Sequence, residues 1–327
     1  MDDTELHDHD HAAHIVIALQ LNAAAAFATV LGGLIICSHR TLQLATPMAL
    51  ATTLSISGGV TVFLALVLSF GYSVAQFAVT FQSEVDSYDT LDIKSWTAAT
   101  MCLGAGILIV YTVDFVVQKL TPGLNPETPQ DLPTVNDCER GFLRRSLQDS
   151  VLLESPRTQD FVKMDEAAKD KLQRMGILSG IAIALHNIPS GIATFTAGME
   201  DPAIGASMAI GVGLHNIAEG VAVAAPVYFA TGSKWKAIMW CIVAAMAEHV
   251  GAFISLAVAG SDGHDTGQAV LYGIVAGMMT TLAMKEIFPT AYTYANGRIH
   301  LVSNGGLMGM LLMALSLWFF KYMRIGT

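Results

Sequence analysis

The chain has 327 residues, 53% of them hydrophobic and only 13% charged, a balance too apolar for an ordinary soluble domain and one that places it among membrane proteins. Its formal net charge of −10 excludes a nucleic-acid partner, because binding phosphate needs clustered Lys and Arg, and it favours cationic ligands. Four cysteines, Cys37, Cys102, Cys138 and Cys241, stand far apart without CxxC spacing, so they are expected to pack as small hydrophobes rather than form disulfides or a thiolate metal site.

A membrane helix needs about 20 mainly apolar residues to cross ~30 Å of hydrocarbon. Eight runs qualify: Ala13 to Cys37, Met48 to Phe70, Trp96 to Leu120, Met175 to Met199, Ala203 to Phe229, Ala237 to Gly260, Gly267 to Pro289 and Leu301 to Phe320. The opening residues Met1-Asp2-Asp3-Thr4-Glu5 lack the basic stretch of a secretory signal, so the first run is expected to be kept as a span. The second is the least bounded, since Thr41 to Ser83 contains no Asp, Glu, Lys or Arg and has room for one long helix or a re-entrant piece. The chain thus divides into an acidic, His-rich tail over 1–12, three spans within 13–120, a Pro-rich and then charged cytosolic loop over 121–172 expected to be flexible, and five spans within 173–327.

An even number of spans puts both termini on one side, and the basic residues test which. The connections after spans one, three, five and seven hold 13 of the 17 Lys and Arg, which marks that side as cytoplasmic and both termini as extracytoplasmic. Lys285 falls inside the seventh run near its cytoplasmic end, where it is expected to snorkel. The opposite connections are acidic, with Glu84, Asp86, Asp89, Asp92, Glu200, Asp201, Asp262 and Asp265, and the tail adds His7, His9, His11 and His14 among aspartates. Such a face concentrates cations by electrostatic focusing.

Ionisable groups inside spans are costly and mark pathways. His186, His215, Glu219 and Glu248 lie near mid-depth; His186, His215 and Glu248 fall about 11 to 12 residues into their runs, roughly 17 Å from an edge, so they share one layer. Two segments repeat a pattern, His186-Asn187-Ile188-Pro189-Ser190-Gly191 and His215-Asn216-Ile217-Ala218-Glu219-Gly220. Spacings of three and four bring His186, Asn187 and Ser190 to one side of the fourth span, and His215, Asn216 and Glu219 to one side of the fifth. Imidazole nitrogen and carboxylate oxygen suit zinc, and with less preference iron, manganese or cadmium; Asn adds a weak neutral oxygen from which an ion can leave. Pro189 cannot donate to the Leu185 carbonyl and loosens the helix at this layer, while Gly191 and Gly220, like Gly205 with Ala209 and Gly273 with Gly277, permit close helix approach.

At these residues the sequence resembles the ZIP (Zrt/Irt-like protein) family of divalent metal transporters, and its ZupT/GufA-like branch in particular, whose fourth and fifth spans carry segments of the form HNxPEG. Further likeness runs through Ala247-Glu248-His249-Val250-Gly251-Ala252, Ala276-Gly277-Met278-Met279, Glu286-Ile287-Phe288-Pro289 and Asp114. The resemblance implies an all-α polytopic protein with eight transmembrane helices in a ZIP-type bundle, both termini outside the cytoplasm. It also implies a transporter and not an enzyme, with no cofactor and with the metal as cargo moving toward the cytoplasm. By position, His186, His215 and Glu219 would form one part of a two-metal centre and Asn187, Asn216, Glu219 and Glu248 the other. The departure is Ser190, where the branch has Glu, so the number of ions held stays open between one and two.

A second reading is an intramembrane zinc hydrolase in which His186, His215 and His249 hold the metal and Glu248 activates water, although no HExxH is present. The expected partners are divalent metal ions and membrane lipid, with a homodimer compatible but not required. The plasma membrane is the expected location and an organelle membrane the other candidate; channel-like flow and an alternating-access cycle both remain open.

Overall fold

The computed structural model describes residues 3–35, 47–82, 88–120, 187–231, 233–259 and 264–325. The 121–172 loop and His186 lie outside them. The described residues fold into eight helices with no strand. We label them α1 (Asp3–Leu34), α2 (Pro47–Phe63, a π-helical turn Leu64–Ser69, then Phe70–Phe81), α3 (Tyr88–Leu120), α4 (residues 187–200), α5 (Pro202–Thr231), α6 (Lys234–Ala259), α7 (His264–Leu282, a π-helical turn Ala283–Ile287, then Phe288–Tyr294) and α8 (Ile299–Ile325). Among the described residues six of these, α1, α2, α3, α6, α7 and α8, are long and apolar enough to cross a membrane. The 30 residues of α5 are also long enough, about 45 Å at 1.5 Å per residue.

The helices outrun the apolar runs. The open question over the second run resolves as one continuous helix to Phe81, because no Pro or charge interrupts 48–81. Its two halves serve different neighbours. The first packs on α5, α7 and α8, while Phe70, Val74, Phe77 and Phe81 of the second pack against Ala98, Ala99 and Cys102 of α3 and Ala269 and Val270 of α7. In α7 the π-helical turn comes just before Pro289, which has no N–H to return to the Lys285 carbonyl. Asp201 begins α5 by accepting the Ala203 N–H at 2.8 Å, with Pro202 in the first turn where its missing donor costs nothing. The α7–α8 turn uses Asn296 and Gly297, at φ 52° and 77°, residues that tolerate the left-handed region.

Helix pairing follows one rule. A β-carbon placed on Gly220 would stand 2.0 Å from the Thr29 carbonyl oxygen, and one on Gly32 would stand 2.1 Å from the Ile217 oxygen, so α1 and α5 touch backbone to backbone through reciprocal glycines. The relation recurs between α2 and α8 (Gly59 on Gly306, Gly309 on Ile56), between α3 and α7 (Gly106 on Ile274, Gly277 on Leu103) and between α4 and α6 (Gly191 on Glu248, Gly251 on Ile188). In all four the abutted carbonyl lies three residues before a glycine that abuts the partner helix in return, and Cα–H···O contacts of this kind give about 0.5–1 kcal/mol each. Contacts along each pair run in the same order on both helices, so the pairs are parallel. Helices separated by an even number of steps are parallel when every connection crosses the bundle, as eight alternating spans require.

The faces left over are apolar: Met101, Leu108 and Phe115 on α3, Met246 and Phe253 on α6, and Leu311, Leu315 and Trp318 on α8 are exposed, as lipid contact demands. Cys241 is buried against Gly33 and donates its Sγ–H to the Gly220 carbonyl at 3.4 Å, and Cys102 is half-buried.

A matched pair of substitutions on α3 tests the glycine rule. A β-carbon on Gly106 would lie 2.0 Å from the Ile274 oxygen, whereas one on Gly104 meets nothing within 4 Å. Gly106→Ala should lower the thermal midpoint in detergent by about 5 °C or more, while Gly104→Ala should hold or raise it. Equal midpoints would show that the close contact does not matter.

Candidate metal centre

Among the described residues the buried charged side chains are His215, Glu219 and Glu248, and no Lys or Arg is buried with them. Asn187 and Asn216 are wholly buried, and Ser190 is 2% exposed. The helix pairing brings these together. Asn187 of α4 donates its Nδ2 to the Ala244 carbonyl of α6 at 3.0 Å, and Gly191, one residue past Ser190, abuts the Glu248 carbonyl. Asn216 of α5 donates its Nδ2 both to Glu248 Oε1 at 2.5 Å and to the Ala25 carbonyl of α1 at 2.8 Å. Glu219 follows His215 by one turn, with its Oε2 4.0 Å from His215 Nε2. The structure therefore joins Asn187, His215, Asn216, Glu219 and Glu248; His186 lies outside the described residues, and among those described no three His, Cys, Asp or Glu groups converge as a ready-made ligand cluster.

The anchoring bonds decide which atoms face inward. Ala25, Ala244 and Glu248 offer only acceptors to the two carboxamides, so each amide nitrogen must point at them and each oxygen must point away. Asn187 Oδ1, Asn216 Oδ1 and Glu248 Oε2 are then buried oxygens without a hydrogen-bond partner among the described residues. Each such group costs about 1–3 kcal/mol if nothing meets it. Among the described residues two carboxylates share this buried layer and no Lys or Arg is buried with them, an environment suited to a cation.

Ser57 on α2 completes the arrangement, and the sequence reading missed it. Its Oγ is hydrogen-bonded to His215 Nδ1, which fixes the ring and directs Nε2 toward Glu219. The only signal in the sequence was a hydroxyl at this depth in an uncharged run. Thr61 donates to the Ser57 carbonyl at 3.0 Å.

Other residues singled out by the sequence have their own positions. His249 is half-buried beside Glu248, and its Nδ1 lies 3.2 Å from its own-turn Ala245 carbonyl. Lys285 reaches across to α3, where it pairs with Asp114 and lies 4.7 Å from the Tyr111 ring centre. Glu200 accepts from Gln76 Nε2 at 3.1 Å, and His14 Nδ1 lies 3.0 Å from the Met199 carbonyl.

Fold and site together define a polytopic helical membrane protein built around a buried His/Asn/Glu layer. The family model described as ZIP Zinc transporter matches residues 15–317, and the chain belongs to the ZIP family. It is 32% identical over 310 residues to a protein of Stenotrophomonas maltophilia (strain K279a) named Zinc transporter ZupT, covering 94% of this chain and 97% of that one. The proteins of the same name from Akkermansia muciniphila and Chlorobium chlorochromatii are 32% and 31% identical, each covering 94% of this chain and 98% of its own length.

The Asn216–Glu248 bond is testable by a double-mutant cycle. Asn216→Leu and Glu248→Leu should each destabilise by about 1–3 kcal/mol in reversible unfolding, and the double variant by less than the sum, with a coupling of about 1 kcal/mol or more. Strict additivity would mean that the two side chains do not support each other.

Proposed function

We propose that the protein carries divalent transition-metal ions, zinc first, across the membrane into the cytoplasm, with His186, Asn187, His215, Asn216, Glu219 and Glu248 as ligands midway across. The observation that carries this reading is the set of buried oxygens on Asn187, Asn216 and Glu248 without partners among the described residues, in a layer with two carboxylates and no buried Lys or Arg. Imidazole, carboxylate and carboxamide donors together suit zinc, and iron, manganese and cadmium share enough of this chemistry to compete. The names of the bacterial relatives support zinc and a plasma-membrane location. The Lys and Arg distribution supports both termini outside, with the N-terminal end of α1 on the entry side.

Charge balance favours one ion. Glu219 and Glu248, both ionised, neutralise a single divalent cation, whereas a second ion would leave two uncompensated charges in a low-dielectric layer. Ser190 in place of Glu removes the carboxylate that would offset part of that cost. The hydrolase reading fares worse: His249 follows Glu248 directly, about 100° round α6 from it, and its Nδ1 faces its own helix.

Purified protein in liposomes should admit radioactive zinc, and His215→Ala and Glu219→Ala should reduce uptake to that of empty vesicles. Undiminished uptake in both would refute the site. Separately, Ser190→Glu should allow a second bound zinc per chain, read by metal analysis of the purified protein after dialysis; an unchanged ratio would overturn the role given to Ser190.

A further inference from the structure

Asn22 of α1 is wholly buried, and neither its Nδ2 nor its Oδ1 has a hydrogen-bond partner among the described residues. It belongs to the stripe Ala18, Asn22, Ala25 and Thr29, which recurs every three or four residues on the face of α1 turned to α4 and α5. Ala25 supplies the carbonyl that holds Asn216, so Asn22 lies about 4.5 Å from that level toward the N-terminal end of α1. At the next turn Ala18 abuts Gly198 of α4. Helix α4 runs antiparallel to α1, so one turn back from Gly198 brings Thr194 to the layer of Asn22. Thr194 is also wholly buried, with an Oγ1 that has no partner among the described residues, and it sits seven residues along from Asn187 on the same face of α4.

Two buried polar side chains thus share a layer without bonding to each other, where an apolar pair would have avoided the cost of about 1–3 kcal/mol per unmet group. We propose that Asn22 and Thr194 form a second, uncharged station on the entry side of the carboxylate layer, taking a divalent cation that still carries part of its water. The chemistry selects that guest. Asn22 Oδ1 and Thr194 Oγ1 are neutral oxygens able to ligate a cation or accept hydrogen bonds from its water. The Asn22 amide N–H would repel a bare ion, and is satisfied only when water accompanies it. With no carboxylate at this level, the ion is held weakly and passes on to Glu219 and Glu248.

This station rests on the transport reading for its purpose, but its occupancy can be tested apart from it. In a variant with Cys37, Cys102, Cys138 and Cys241 replaced by Ser, Asn22→Cys should react with a water-soluble, positively charged thiol reagent, and zinc chloride should slow that reaction. A thiol that stays unreactive, or reacts at the same rate with zinc, overturns the station even if the wild type transports. Zinc protection in a protein that moves no zinc would instead uphold the station and sink the transport reading. In liposomes that support wild-type flux, Asn22→Leu and Thr194→Val should cut the maximal uptake rate about tenfold or more, while zinc affinity of the purified protein stays within about threefold. Asn22→Ser, which keeps a neutral oxygen, should recover much of the rate. Unchanged rates would mean the pair holds structural water only, and a parallel loss of affinity would mean it merely props up the centre.

Discussion

The approach of helix backbones through reciprocal glycines is the constraint on which everything else depends. In each of the four pairs two helices lie so close that any β-carbon at the contact would overlap a carbonyl oxygen. Within a membrane there is no hydrophobic drive to hold helices together, so van der Waals contact and weak Cα–H···O bonds must do it, and both fall off within a fraction of an ångström. The site is built from this contact directly. Glu219 precedes Gly220, Ser190 precedes Gly191, and Glu248 supplies through its own carbonyl the surface on which Gly191 rests. A side chain next to such a contact has its direction set by two backbones.

The second step is the use of backbone carbonyls as orienting acceptors. Asn187 is held by Ala244 and Asn216 by Ala25, in each case a carbonyl of the helix across the close contact or beside it. A carboxamide has one donor end and one acceptor end, so satisfying the donor on the scaffold exposes the acceptor to the interior. Histidine is treated in the same way, with Nδ1 engaged by Ser57 and Nε2 left on the Glu219 side. If this layer takes an ion as proposed, these acceptor atoms already face the interior.

The eight apolar runs were readable because the period of hydrocarbon thickness dominates each of them, and the HNxxxG repeat was readable because His and Asn at mid-depth have few other uses. Other features were hidden for physical reasons. The length of α2 could not be bounded because nothing in Thr41 to Ser83 marks where lipid ends. Small-xxx-small spacing pointed to Gly277, but which carbonyl it would meet depends on a partner register that only the assembled bundle sets. Ser57 was indistinguishable from its neighbours, since hydroxyls in membrane helices usually bond back to their own turn, as Ser55 does to Ala51 and Thr61 to Ser57. Lys285 was expected to reach for the interface because its sequence position reveals neither Asp114 nor Tyr111 on α3.

The polar residues along the bundle are graded, and the grading is itself an argument about passage. Movement through a pore requires sites attractive enough to strip water and weak enough to release the ion again. On one side of the centre stand Asn22 and Thr194, uncharged and buried; at the centre stand two carboxylates; toward the C-terminal end of α3 stands Asp114, a carboxylate already paired with Lys285. On the proposed pathway, an ion leaving the central layer in that direction would meet a carboxylate already paired with a tethered ammonium, which would hold it less tightly than Glu219 and Glu248. The proposed pathway would thus attract most strongly in the middle and less on both flanks, by missing charge on one side and by a built-in counter-charge on the other.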